Sequence, residues 1–288
     1  MMTVGIVAKP SKEGVREAIE HVREWCGRHD LALRVDEPTA AVAPGDVEAL
    51  ATDDLVSSSD LIFALGGDGT LLFAARRAAE LGVDTRIIGV NLGSLGLLTQ
   101  IGGEELPDVL KRLDPGTLPI SERMMLSVEI AGRDGTRLAL NDVVIAKGAE
   151  SRMLSFEARV DGEVVTRYAA DGLILATPTG STAHALSAGG PVVMPNVEAI
   201  IGTPICPHTL SMRPYVVPPT AVIEVEMVTC DDRTIVATDG VRAFGIGQGD
   251  TAVVRTASAR AKLVDVSRHS YYEILRRKMR WAGRVRGR

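Results

Sequence analysis

At 288 residues, with 45% hydrophobic and 24% charged side chains, the chain is long enough for one or two cored domains and leaves little room for extended disorder. Its formal net charge of -5 at pH 7 argues against a general nucleic-acid binder, which needs a basic face. The cysteines Cys26, Cys206 and Cys230 are widely spaced and outside any CxxC pattern, so neither a disulfide framework nor a structural zinc site is implied.

The opening MMTVGIVAKP runs directly into a strand-like segment, Thr3 to Ala8, and a helical repeat follows through Val15, Ala18, Ile19, Val22 and Trp25. Leu31 to Val35 reads as a second strand, whereas Ala40 to Leu55 fits no single period. Leu61 to Leu65 is a continuous apolar run closed by Gly66-Gly67, with helical character resuming over Leu71 to Leu81. Arg86 to Val90 is a further buried strand ending at Asn91, and Glu104 to Leu113 reads as a helix. Alternating strands and helices imply a parallel sheet with ligands at the carboxyl ends of its strands, where Asp68 and Asn91 both fall.

Asp114-Pro115-Gly116 breaks the chain, and its character changes. Met125 to Ile130, Arg137 to Ile145, Leu154 to Val160, Glu163 to Tyr168, Val222 to Val228, Arg233 to Ala237 and Thr251 to Thr256 read as strands separated by turn signals such as Asp161-Gly162. Ser270 to Trp281 is again helical. The expected architecture is an open α/β nucleotide-binding domain over residues 1–118, joined by a C-terminal helix within 265–288, plus an all-β, antiparallel domain over 119–264. No apolar run reaches the roughly 18 residues of a membrane span, and a soluble, cytoplasmic protein is expected. Arg276, Arg277, Lys278, Arg280, Arg284, Arg286 and Arg288 form a basic tail, for which a solvated helix end that complements the macrodipole is a simpler reading than a polyanion site.

Gly66-Gly67-Asp68-Gly69-Thr70 lacks both the GxxxxGK[ST] pattern and the third glycine of GxGxxG. It places a carboxylate among glycines at a strand-to-helix turn, where backbone amides can cradle phosphates. Such an Asp suits the receipt of a hydroxyl proton during phosphoryl transfer, and it equally suits the capping of the following helix. Asn91-Leu92-Gly93-Ser94-Leu95-Gly96-Leu97-Leu98-Thr99 allows close backbone approach, or a simple turn of the chain. Asn141-Asp142 sets a side-chain amide that can both donate and accept beside an accepting carboxylate, and also fits a turn pair. Asp171 to Pro191, DGLILATPTGSTAHALSAGGP, is a dense Thr/Ser/Gly tract that a packed helix does not need. Cys206 and His208 lie two apart, but no second ligand pair accompanies them, and a structural role is favoured.

Taken in order, these motifs resemble the NAD kinase family over about residues 60 to 215, and more loosely beyond. The resemblance implies transfer of the γ-phosphoryl group of ATP to the adenosine ribose 2′-hydroxyl of NAD, with NAD bound in a cleft between the two domains. It implies Asp68 as general base, and Gly66, Gly67, Gly69, Thr70 and Asn91 about the nucleotide. Asn141 and Asp142 would hold adenosine, Asp142 standing where the family has Glu. Asp171 would reach the nicotinamide carboxamide, and Thr179, Thr182, Ala183, His184 and Ser187 would line the dinucleotide site, with His184 replacing a usual Tyr. Asp239 would lie near the dinucleotide and Arg152 where some members place a His. Mg²⁺, or another divalent cation, would be held through the ATP phosphates with no direct protein ligand, and a homodimer or homotetramer is implied. A lipid kinase sharing GGDGT would need an apolar acyl pocket in place of the polar tract, and a non-catalytic NAD(P) sensor would have no need of Asp68.

Overall fold

The computed structural model describes residues 2–93, 96–99, 101–148, 153–209, 211–267 and 269–279. The chain divides into two compact units, Met1–Glu122 with Ala261–Arg288, and Arg123–Arg260.

In the first unit, β1 (Thr3–Ala8), α1 (Val15–Arg28), β2 (Ala32–Asp36), α2 (Glu37–Ala40), β3 (Glu48–Leu50), α3 (Thr52–Ser58), β4 (Leu61–Gly66), α4 (Asp68–Glu80), β5 (Arg86–Asn91), β6 (Ile101–Gly102) and α5 (Leu106–Arg112) alternate. The strands pair in parallel in the order β5-β4-β1-β2-β3, with β6 beside the end of β5. Residues 40–55, ambiguous in the sequence, form the short strand β3 and helix α3. The runs Leu61–Leu65 and Ile87–Ile88 are buried, as a sheet covered on both faces requires. Val15, Ala18, Ile19, Val22 and Trp25 supply the buried face of α1. Trp25 anchors the core edge-on against Phe63 and donates its indole N–H to the Leu113 carbonyl at 3.2 Å.

The second unit contains β7 (Ile120–Ile130, from Arg123), β8 (Arg137–Ala139), β9 (Asp142–Ala146), β10 (Leu154–Val160), β11 (Glu163–Ala170), β12 (Gly172–Ala176), α6 (His184–Ser187), β13 (Ile200–Ile205), β14 (Tyr215–Val217), β15 (Ile223–Thr229), β16 (Ile235–Thr238), β17 (Val241–Gly245) and β18 (Thr251–Val264, to Arg260). One sheet runs β14-β13-β12-β9-β16-β17, antiparallel throughout. The opposing layer pairs β11, β10, β15 and the start of β18, again antiparallel. Leu126, Phe156 and Val225 from one layer and Ile145, Leu173 and Leu175 from the other share one buried core. The α/β and antiparallel β character expected from the sequence is therefore present.

One strand expectation needs correction, and β13, β14 and β17 have no counterpart in the sequence reading. Arg137 to Ile145 is not one strand: it breaks at Leu140-Asn141, because the Asp239 carboxylate draws the amides of Leu140, Asn141 and Asp142 out of the ladder. Gly202 and Pro204 interrupt the apolar run of β13, so its strand signal is weak. Pro204 is tolerated there since β14 pairs only with Ile200–Gly202, leaving Pro204 without a partner on that side. The C-terminal helix α7 spans Tyr271–Met279, and the expected basic tail from Arg280 onward lies outside the described residues.

Candidate functional site

In the first unit, the turn after β4 sits at the carboxyl edge of the parallel sheet. Helix α4 begins at Asp68 with Gly67 as its N-cap, and no side chain caps it. The reading of Asp68 as a cap for its own helix is thereby excluded. Its carboxylate instead accepts hydrogen bonds from the glycine-loop segment 29 to 31 residues away: Leu97 N–H to Oδ2 at 3.0 Å, and Thr99 N–H at 2.9 Å, Leu98 N–H at 3.3 Å and the Thr99 hydroxyl at 2.7 Å to Oδ1. Gly96 is required by this contact, since a Cβ there would lie 2.0 Å from Asp68 Oδ1. Asn91 holds the same loop, accepting from Gly93 N–H at 2.9 Å and donating to the Thr99 hydroxyl at 3.1 Å.

Beside this turn lies a cavity of about 550 Å³ lined by Ala8, Lys9, Lys12, Gly67, Gly69 and Thr70, among others. Gly66 is needed for packing, because a Cβ would lie 2.4 Å from the Thr70 hydroxyl. Gly67 and Gly69 are different. Among the described residues, a Cβ on either would meet no atom within 4 Å beyond the adjacent chain, so these two keep the pocket wall low without any packing demand. Lys9 and Lys12 bring cationic side chains to the lining, Asp36 adds a carboxyl, and the N-terminus of α4 borders the cavity at Gly67 and Gly69. Two lysines and a helix N-terminus on one wall give the cavity chemistry suited to an anion, and the half-buried Asp68 lies between the lining residues Gly67 and Gly69. Lys9 and Lys12 were not among the sequence candidates, although their position just past the end of a parallel strand was the available signal.

In the second unit a separate cluster forms around the Leu140-Asn141 break. Asp239, at φ +49, accepts the amides of Leu140, Asn141 and Asp142 at 3.0, 2.7 and 3.3 Å. Thr177 locks the same bend from the other side: its hydroxyl donates to Leu140 O at 2.6 Å and its N–H to Asn141 O at 2.9 Å. Gly180 packs so tightly that a Cβ would lie 2.0 Å from Asn141 O. Asn141 is buried, and its side-chain oxygen has no hydrogen-bond partner among the described residues. Such an orphaned acceptor costs free energy unless a ligand donor meets it. Asp142 is also buried, and burial, aided by repulsion from Asp239, pushes its carboxyl up to about 7.

Thr179 is buried next to this bend, with its carbonyl accepting from the Thr182 hydroxyl at 3.3 Å, and Ala183 joins the turn through its amide to Gly180 O. His184 and Ser187 are exposed on the short helix α6. Asp171 is not part of this cluster. It lies at the other end of the β9–β12 pair, since Asp142 faces Ala176 and Ala146 faces Gly172, a separation of roughly 15 Å at about 3.3 Å per residue. There its carboxylate pairs with Lys147 at 2.8 Å, a partner the sequence reading did not name. Arg152 lies outside the described residues. Asp239 is close to the cluster, but its carboxylate shapes the backbone.

Two family models match the chain: the ATP-NAD kinase N-terminal domain over residues 4–116 and the ATP-NAD kinase C-terminal domain over residues 140–266. An NAD kinase of Koribacter versatilis is 40% identical over 288 residues, covering 99% of this chain and 100% of the relative. One from Caldanaerobacter subterraneus is 39% identical over 282 residues, covering 97% and 99%. Among solved structures, yeast NADH kinase complexed with NADH superposes with a TM-score of 0.86 at 26% identity, covering 100% of this chain and 89% of that one. An Archaeoglobus fulgidus NAD kinase in complex with ATP gives 0.78 at 28% identity, covering 98% and 100%. Among the described residues, no helix is long and apolar enough to cross a membrane.

Proposed function

The chain belongs to the NAD kinase family, and on that premise we propose how its residues divide the work of the reaction. The activity is transfer of the γ-phosphoryl group of ATP to the 2′-hydroxyl of the adenosine ribose of NAD, giving NADP and ADP. Phosphoryl transfer asks the protein mainly for positioning, charge neutralisation and a proton acceptor.

The first unit, read as the α/β module over residues 1–118 with the C-terminal helix, is assigned the donor phosphates. Gly66, Gly67, Gly69 and Thr70 form the phosphate cradle with Lys9 and Lys12, and Asn91 holds the loop beside it. As the bond from the ribose oxygen to the γ-phosphorus forms and the bond to the ADP oxygen breaks, Asp68 takes up the hydroxyl proton. The second unit, read as the NAD-binding module over 119–264, is assigned the acceptor. Asn141 presents its orphaned oxygen to the adenine amino group and Asp142 engages ribose hydroxyls. Asp171 is assigned the nicotinamide carboxamide, a separation that suits the extended length of a dinucleotide. Thr179, Thr182, Ala183, His184 and Ser187 line the path, and Asp239 acts by holding the Asn141 bend in place.

Mg²⁺, or another divalent cation, would be carried on the donor's phosphate oxygens and supply charge neutralisation of the transferring group. The residues present fit that arrangement: among the described residues, Lys9, Lys12 and Thr70 line the cavity with a single carboxyl, Asp36, and no group of three or more His, Cys, Asp or Glu is poised to cage a metal ion. A cytoplasmic location, where both ATP and NAD are held, and assembly as a homodimer or homotetramer belong to the same reading, the latter to be measured by light scattering.

The observation that carries the assignment is the half-buried Asp68 between Gly67 and Gly69, two open glycines that line a lysine-flanked cavity and serve no packing need. The test is incubation of the purified protein with Mg-ATP and NAD, with NADP read by a dehydrogenase specific for it. Asp68→Asn should lower turnover by about 10²-fold or more with NAD binding retained. Near-parental turnover would remove Asp68 from the chemistry.

A further inference from the structure

The four hydrogen bonds to Asp68 are unevenly divided. Oδ1 accepts from Leu98 N–H, Thr99 N–H and the Thr99 hydroxyl, whereas Oδ2 accepts, among the described residues, only from Leu97 N–H. Three donors fill the accessible lone-pair directions of Oδ1 and leave room on Oδ2. The direction of the Thr99 hydroxyl proton follows from its neighbours. Gly93 N–H can only donate, so the Asn91 side-chain atom it meets at 2.9 Å is the oxygen, and the Asn91 amide nitrogen is the group that faces Thr99 Oγ1 at 3.1 Å. Thr99 Oγ1 accepts there and must spend its own proton on Asp68 Oδ1, 2.7 Å away. Thr99 is fully buried, and its methyl packs against Gly89 of β5, where a Cβ would come within 2.9 Å of it. The hydroxyl therefore has no rotameric freedom to turn elsewhere.

We infer that Thr99 is a positioning residue for phosphoryl transfer: oriented by Asn91, it pins Oδ1 of Asp68 and so presents Oδ2 as the oxygen that receives the substrate hydroxyl proton. The inference rests on the reading of Asp68 as proton acceptor. Thr99 touches neither substrate in this arrangement; it acts through the carboxylate. Losing the shortest of the four hydrogen bonds loosens the hold on Oδ1, leaving three backbone N–H donors on the carboxylate, and so blurs the geometry needed only as the proton moves.

The experiment is steady-state kinetics on Thr99→Ala, Thr99→Val, Thr99→Ser and Asp68→Asn, with the thermal melt of each variant recorded. Both variants lacking the hydroxyl should lose about 10- to 100-fold in kcat, with KM for NAD and for ATP within about twofold of the parent. Thr99→Ser, which keeps the donor and loses the methyl, should recover most of that loss. Should Thr99→Val not fold with a methyl against the carboxylate, Thr99→Ala removes the same hydroxyl without filling its place. Parental kcat in Thr99→Ala, a loss residing mainly in KM, or a Ser variant as poor as Ala would each overturn the inference. If Asp68→Asn turns over normally, the proton-acceptor reading falls and takes this one with it. If Asp68→Asn is inactive while Thr99→Ala is unimpaired, only the role of Thr99 falls.

Discussion

Asp142 offers a quantitative test of the acceptor cluster through its effect on stability. Its carboxyl is raised from 3.8 to about 7 by burial first and by the Asp239 charge second. Between those two values the folded protein keeps a proton that the unfolded chain has released, so stability contributed by this group falls as pH rises through the window and levels off above about 7. A shift of about three units corresponds to about 4 kcal/mol across the full window, of which about 3 kcal/mol lies between about pH 5 and pH 8. Asp142→Asn keeps the shape and abolishes the titration. Urea unfolding of parent and variant, followed across that range, cancels the titrating groups that do not interact with Asp142, because both proteins share them; the difference reports the Asp142 site together with its coupling to Asp239. The variant should gain about 3 kcal/mol relative to the parent between the two ends, superimposed on whatever constant offset the amide introduces. Curves that stay parallel with pH would show that Asp142 titrates normally and is not confined with Asp239 as described. A variant that instead loses ground as pH rises would reverse the sign and refute the burial argument outright.

The glycines of the first unit should separate cleanly: Gly96→Ala pushes a methyl into the Asp68 carboxylate and should cost about 1–3 kcal/mol in stability together with activity, whereas Gly67→Ala, with open space around it, should melt like the parent and raise KM for ATP. Equal melting temperatures for the two variants would contradict the packing described. Asn141→Ala removes the orphaned acceptor and should weaken NAD by about tenfold with ATP affinity unchanged, as calorimetry with each ligand would register. Asp171→Ala should also weaken NAD more than ATP; equal losses for both ligands would point to the broken Lys147 pair and a folding defect.

Much of this protein is written locally. Apolar runs at strand and helix periods, closed by Gly, Pro and Asp-Gly signals, identify the parallel α/β portion and the change to antiparallel strands after Asp114-Pro115-Gly116, because backbone geometry and side-chain period are properties of a few neighbouring residues. The motifs containing Asp68, Asn141 and Asp171 were likewise visible, since small and polar residues at strand ends have little reason to be there for packing. What each carboxylate does was not. Whether Asp68 caps its own helix or binds a loop 29 to 31 residues away depends on β4 and β5 lying side by side, which brings the turns after them together. The sequence could not reveal that Asp239 and Thr177, one 97 to 99 residues and the other 37 residues removed, bend the chain at Asn141. Nor could it separate Asp171 from Asp142 by the length of a strand. A carboxylate's partners are chosen by which backbone amides the sheet order leaves unpaired within 3 Å or so of it, and that order is a global property of the fold, absent from any local stretch of residues.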